Sequence, residues 1–155
     1  MKGKLIIMMG VPGSGKSTWI KNNKAETDVV VSRDDIRFGM LKEGDDYFAY
    51  EDKVIETFLF NIRFHLQHGQ TVYADATHLN KKARAKIINK VKEFANEIEC
   101  IWINPKLETA IERNARREGL ARVPNGVIRR MWYQMDIPEV DEGFDKITVI
   151  KEKEE

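Results

Sequence analysis

The stretch Leu5-Ile6-Ile7-Met8-Met9-Gly10-Val11-Pro12-Gly13-Ser14-Gly15-Lys16-Ser17-Thr18-Trp19-Ile20 passes from an unbroken apolar run, through three glycines, into a helix start. Five apolar residues in a row have no polar face, so Leu5–Met9 reads as a strand buried on both sides. Gly10 to Ser17 fits the pattern G-x-x-x-x-G-K-[ST]. Glycines at those positions let consecutive backbone N–H groups turn into a concave nest that holds phosphate oxygens. The helix opening at Lys16 adds partial positive charge at the same place. Lys16 can reach the β- and γ-phosphates of a nucleoside triphosphate, and the Ser17 hydroxyl can ligate Mg²⁺. Gly10, Pro12, Gly13, Ser14, Gly15, Lys16, Ser17 and Thr18 are therefore the expected ATP-binding residues, and Mg²⁺ the expected metal.

Working outward, four more short apolar runs punctuate the chain: Asp28–Ser32, Thr71–Ala74, Ile98–Ile103 and Ile147–Ile150. Between them lie helical patterns. One spans about Tyr47 to His68, with Val54, Phe58, Ile62, Ile55, Leu59 and Leu66 on one stripe and Gly69 closing it. Another spans about Lys81 to Asn96, with Ile87, Ile88, Val91 and Phe94 inward, and Lys81, Lys82, Arg84, Lys86, Lys90 and Lys92 outward. Strands alternating with helices predict an α/β fold: a three-layer α/β/α P-loop NTPase with a mainly parallel five-stranded sheet. The 155 residues suit one domain over 1–155, with a charged tail at 151–155 that frays.

Composition narrows the classes. With 42% hydrophobic and 33% charged residues the chain is globular, and a net charge of +1 gives no overall field for a polyanion. The single cysteine, Cys100, excludes an internal disulfide and reads as a small buried hydrophobe in a reducing compartment. No run is long enough for a signal core or a membrane span. The expected location is the cytoplasm, with no membrane partner.

Two strand ends carry acids. The second run ends in Ser32-Arg33-Asp34-Asp35-Ile36-Arg37. In a parallel sheet these residues face the ligand crevice, where a carboxylate accepts a hydroxyl proton from an attacking acceptor. Asp34 is the preferred base and Asp35 the preferred helix cap, unless both merely cap. Arg37 either clamps an acceptor phosphate or pairs with a neighbouring acid. The third run ends in Ala74-Asp75-Ala76-Thr77-His78-Leu79-Asn80. There Asp75 supports Mg²⁺ through water or holds the acceptor, while Thr77 and Asn80 alternatively start the next helix, with Asn80 as N-cap. His78 is read as non-catalytic, and His65 and His68 as helix-surface residues without a metal.

Arg113, Arg116, Arg117, Arg122, Arg129 and Arg130 are broken by Glu118-Gly119-Leu120 and Val123-Pro124-Asn125-Gly126. Arginine forks suit phosphate, so a Gly- and Pro-containing loop loaded with them reads as a helical lid, about 113–127, over a triphosphate. The bland alternative is a solvated helix end. Trp132 and Tyr133 either pack the last helix or mark a contact surface, which leaves a homo-oligomer open.

Taken in order, Gly10–Trp19, Ser32–Arg37, Asp75–Asn80, Arg113-Asn114-Ala115-Arg116-Arg117, Val123-Pro124 and Val127–Met131 resemble the kinase domain of the phage-type polynucleotide 5′-hydroxyl kinases. The likeness runs from Lys4 to about Met135. It implies transfer of the γ-phosphate of ATP, with Mg²⁺, to 5′-hydroxyl ends of DNA or RNA, in the host cytoplasm if the chain is phage-encoded. By the same resemblance Asp34 is the general base, and Arg37 contacts the phosphate beside the acceptor nucleoside. Lys16 and Arg117 stabilise the transferring phosphoryl group, and Arg113 lies on the ATP side of the lid. Asp75, Thr77 and Val123 fall in the matched acceptor motifs. Where that family reads Asp-Thr-Asn, this chain has Asp75-Ala76-Thr77-His78, with the acid one residue back. The family's 3′-phosphatase domain has no counterpart here, so no phosphatase activity is expected. Two other readings stay open: a kinase of a small hydroxyl compound such as a nucleoside, antibiotic or sugar nucleotide, and a non-catalytic ATP-binding module.

Overall fold

A computed structural model describes residues 1–153. Five strands form one sheet: β1 (Gly3–Met9), β2 (Val29–Ser32), β3 (Thr71–Asp75), β4 (Ala95–Asn104) and β5 (Lys146–Lys151). Their order is β2-β3-β1-β4-β5, and every neighbouring pair is parallel. The uninterrupted apolar run of β1 is explained by its central place, with both faces covered. Six helices connect the strands: α1 (Lys16–Asn23), α2 (Arg33–Met40), α3 (Glu51–Gln67), α4 (Lys81–Val91), α5 (Leu107–Ala115) and α6 (Asn125–Gln134). None is long and apolar enough to cross a membrane among the described residues.

The two faces of the sheet are covered unequally. Leu5, Ile7 and Met9 of β1 join Phe58, Ile62 and Leu66 of α3, Ile87, Ile88 and Val91 of α4, Ala110 of α5 and Ile128 of α6 in the larger cluster. Residues of opposite parity, Ile6, Met8, Tyr73, Ile101 and Ile103, form a smaller cluster closed by Ile20 and Trp19 of α1. Alternation along the strands separates the two sets, and each buried Ile, Leu or Phe contributes roughly 1.5–3 kcal/mol. Gly69 ends α3 with φ 75°, its N–H donating to Leu66 O at 3.0 Å.

Several boundaries differ from the expected ones. The helix after Asn80 stops at Val91, tightens into a 3₁₀ turn over Lys92–Phe94, and gives Ala95 and Asn96 to β4. Arg84 is not outward: it is fully buried, its guanidinium donating to both Glu142 oxygens at 2.8 and 3.2 Å and to the carbonyls of His78 and Asp136. α3 begins at Glu51 because Tyr47–Tyr50 form turns. Lys151 belongs to β5, and Glu152 accepts a hydrogen bond from Thr109 at 2.6 Å, so the charged tail is tethered where it starts. Glu154 and Glu155 lie outside the described residues. Cys100 is buried. Trp132 packs against the larger cluster, whereas Tyr133 is exposed.

Candidate active site

The sheet order places β3 beside β1 and β2 beside β3, so their carboxyl ends open onto one crevice. The glycine-rich loop between β1 and α1 forms its floor. Gly10 N–H donates to Thr77 O at 3.1 Å, which ties the loop to the segment after β3. Gly13 sits at φ 83°, and a side chain there would drive into the Ala110 carbonyl oxygen. Ser32 Oγ and Asn80 Oδ1 cap α2 and α4, but α1 begins at Gly15 with no side-chain cap. Its first N–H groups are left for an anion. The buried Ser14 hydroxyl, also without a partner, faces the same need.

Lys16 Nζ donates to the carbonyls of Gly10 at 2.9 Å and Val11 at 3.3 Å. Burial lowers its pKa to about 8; the Asp75 and Asp34 charges oppose that, and the Arg117 charge adds to it. Ser17 Oγ donates to Asp75 Oδ2 at 2.8 Å. Burial raises the Asp75 pKa, against the lowering influence of Lys16 and of the Ser17 hydrogen bond. A hydroxyl and a carboxylate so paired are the hard oxygen donors that suit Mg²⁺, one directly and one through water. The residues therefore fit the expected metal.

Across the crevice, Asp34 Oδ1 accepts from Arg37 Nη1 and from Tyr47 Oη at 2.9 Å. Arg37 is only 4% exposed. Its Nη1 also donates to Tyr47 Oη at 2.9 Å, and its Nη2 donates to both Glu51 oxygens at 2.8 and 2.7 Å. Burial works against its charge, but the Glu51 hydrogen bonds and the surrounding anions outweigh that, so its pKa is raised. Arg37 thus pairs with acids in this conformation. Burial, then the Asp34 charge, pushes the Tyr47 phenol up to about 12. Asp35 is not the cap of α2; its N–H donates at 3.2 Å to Ser32 Oγ, two residues ahead of the pair of acids.

At the end of α5, Arg113 Nη1 donates to Ser14 O at 2.8 Å. The buried Asn114 amide clasps Val123 from both sides, accepting from its N–H at 2.9 Å and donating to its carbonyl at 2.6 Å. Arg116, Arg117 and Arg122 are exposed on the segment between, and a 3₁₀ turn spans Gly119–Ala121. A cleft of about 370 Å³ lies beside the loop, lined by Gly15, Thr18, Trp19, Pro105, Arg113 and Ile150 among others.

His78 is buried at φ 45°, its Nδ1 donating to Met8 O at 2.7 Å. Burial, helped by the Arg33 charge, lowers its pKa to about 3, which keeps the ring neutral. Among the described residues no group of three or more His, Cys, Asp and Glu side chains gathers for a metal. Sequence reading passed over Tyr47, Glu51 and the Asn114 clasp. Glu51 lies fourteen positions from Arg37, beyond any helical spacing, so only the folded chain brings the two together.

A family model described as AAA domain matches residues 5–138. Among solved structures, the chain is similar to one in the Pnkp1/Rnl/Hen1 RNA repair complex, with a TM-score of 0.71 and 22% identity over 86% of this chain and 44% of that one. It spans less than half the length of that relative. A sugar kinase from Janibacter sp. HTCC2649 matches with a TM-score of 0.64 and 17% identity, covering 97% of this chain and 86% of that one. A fungal RNA kinase matches with a TM-score of 0.58 and 14% identity, covering 96% and 74%. At these identities the likeness shows a shared fold, that of the P-loop kinases.

Proposed function

Since the chain belongs to the AAA domain family and has the P-loop kinase fold, we propose that it is an ATP-dependent polynucleotide 5′-hydroxyl kinase. The observation that carries this reading is the convergence of Lys16 at the start of α1, Asp34 in the first turn of α2 and Asp75 at the end of β3 on one crevice, where the charges of both acids act on the lysine. A phosphate-binding loop alone binds a triphosphate; a carboxylate facing it across the crevice gives a hydroxyl acceptor its base.

In this reading the loop amides of Gly13, Gly15, Lys16 and Ser17 hold the phosphates, and the nucleotide's purine rests in the cleft beside Trp19 and Arg113. Ser17 and, through water, Asp75 would hold Mg²⁺, which neutralises phosphate charge when bound. Asp34 takes the proton of the 5′-hydroxyl as its oxygen attacks the γ-phosphorus and ADP departs. Lys16 turns from the Gly10 and Val11 carbonyls toward the transferring phosphoryl, and Arg117 reaches it from the lid spanning about 113–127. Arg37 Nη1 exchanges Asp34 for the acceptor's phosphate, while Nη2 stays on Glu51; Thr77 and Val123 line the acceptor side. Positioning and charge neutralisation supply most of the rate. Residues 1–155 then form one catalytic unit.

The small-acceptor alternative draws on the near-neutral charge and on the likeness to a sugar kinase. Transfer of labelled γ-phosphate from ATP to DNA, RNA, nucleosides and 3′-nucleotides tests both. Labelling of 5′-hydroxyl oligonucleotides, more efficient with length up to a few nucleotides and weakened by salt, supports the proposal. Labelling of nucleosides alone overturns it.

A further inference from the structure

The last turn of α2 and the loop that leads into α3 expose aromatic surface beside the proposed base. Phe48 is 62% exposed and Phe38 37%. Both stand edge-on to Tyr47, with ring centroids at 4.7 Å and 83° for Phe48 and at 6.2 Å and 72° for Phe38. Tyr47 itself is committed. Its face carries the Arg37 guanidinium at 4.3 Å and its hydroxyl bonds Asp34. The tyrosine therefore fixes the phenylalanines relative to the carboxylate that would receive the acceptor's proton. A shallow groove of about 480 Å³ begins at Phe48 and continues over Glu51 and Lys53.

Charge narrows what this surface can take. Between Lys42 and Lys53 the acids Glu43, Asp45, Asp46, Glu51 and Asp52 outnumber the two lysines. A phosphodiester backbone laid across that segment would be repelled. A flat, neutral ring would not, and a phenylalanine face is the surface on which nucleobases stack without regard to sequence. Phe38, Tyr47 and Phe48 stand as a group rather than as single exposed side chains, and grouped apolar exposure is where ligands and partners bind.

We propose that Phe48, flanked by Phe38 and held by Tyr47, is the stacking platform for the nucleobase of the acceptor's 5′-terminal nucleotide. This rests on the polynucleotide reading given above. It assigns recognition of the acceptor to its terminal base, with the adjoining phosphate taken by Arg37 and the rest of the backbone led away from the acidic loop, and it makes the platform indifferent to which base is present.

Steady-state kinetics on a 5′-hydroxyl trinucleotide, and on the same trinucleotide with an abasic 5′-terminal residue, decides the matter. For the wild-type protein, removing the base is expected to raise the acceptor KM by on the order of tenfold. Phe48→Ala should raise it equally on the intact acceptor, with no further rise on the abasic one and with the ATP KM unchanged; Phe48→Trp should restore tight binding. Phe48 is exposed, so truncation removes little of the core. An unchanged KM in Phe48→Ala, or an equal loss on intact and abasic acceptors, overturns the platform. If the wild-type protein labels no oligonucleotide, the polynucleotide reading falls before any variant is compared, and the platform with it.

Discussion

Ser17 Oγ donates to Asp75 Oδ2 at 2.8 Å, joining the first turn of α1 to the end of β3 across 58 positions of sequence. The pair supports the metal-side reading of Asp75 over the acceptor-side one. A carboxylate that orients a metal-bound hydroxyl tunes metal affinity by about 10–100-fold. Asp75→Asn should therefore raise the Mg²⁺ concentration for half-maximal transfer by on the order of tenfold, with the acceptor KM unchanged. A Mg²⁺ titration at saturating ATP reads this. A raised acceptor KM at unaltered Mg²⁺ dependence would assign Asp75 to the acceptor instead.

Asp34→Asn keeps the shape of the side chain and an oxygen for Arg37 and Tyr47, but removes the proton acceptor. Transfer should fall by roughly 10²–10⁴-fold, while ATP binding stays within a few-fold. Single-turnover transfer beside equilibrium nucleotide binding separates the two effects. Wild-type transfer rates in this variant would sink the assignment of the base.

Lys16 has a pKa of about 8, below its ordinary 10.5. Between these values the unfolded chain holds the proton and the folded chain does not, so this group adds stability as pH rises from about 8 to 10.5. Nucleotide binding runs the other way. Phosphates favour the charged lysine, so above pH 8 binding takes up a proton, and ATP affinity should drop by on the order of tenfold between pH 7.5 and 9.5. Calorimetric titration in buffers of different ionisation enthalpy detects the uptake. Lys16→Arg, charged throughout, should flatten the profile.

His78 offers an acid-side counterpart. Its folded pKa of about 3 lies below the unfolded 6.5, so the unfolded chain binds the extra proton in that window and stability falls as pH drops below about 6.5. The slope is about 1.4 kcal/mol per pH unit. His78→Asn tolerates the positive φ and removes the titration. Denaturant unfolding at pH 6.5 and 5.0 should show a loss smaller by about 2 kcal/mol in the variant than in the wild-type protein. Equal losses would mean that His78 is hydrated or mobile in solution.

Much of the fold could be read from single segments. β1 and the phosphate loop declare themselves because strand, turn and helix start fall within sixteen consecutive residues. The cap at Asn80 was legible for the same local reason. Arg84 was not. A basic residue among lysines reads as surface, and nothing near it announces Glu142, 58 positions on. The end of α4 was missed because Phe94 continues the apolar spacing, whereas Ala95 must already pair beside Gly3 in the sheet. The Asp34–Arg37 pair is visible at three residues' spacing. Its anchoring by Tyr47 and Glu51 depends on how α2 docks against α3, which no periodicity encodes.

The lopsided cover of the sheet has a thermodynamic consequence. Among the described residues, α1 is the helix that closes the smaller cluster, through Ile20 and Trp19 with Ile150 of β5 beside them, and the same helix begins at the phosphate loop. Whatever fastens the start of that helix also holds α1 over this half of the core. A nucleotide present at a hundred times its dissociation constant adds about 2.7 kcal/mol to folding, delivered where the cover is thinnest. Nucleotide binding at the loop would thereby stiffen the half of the core that α1 covers.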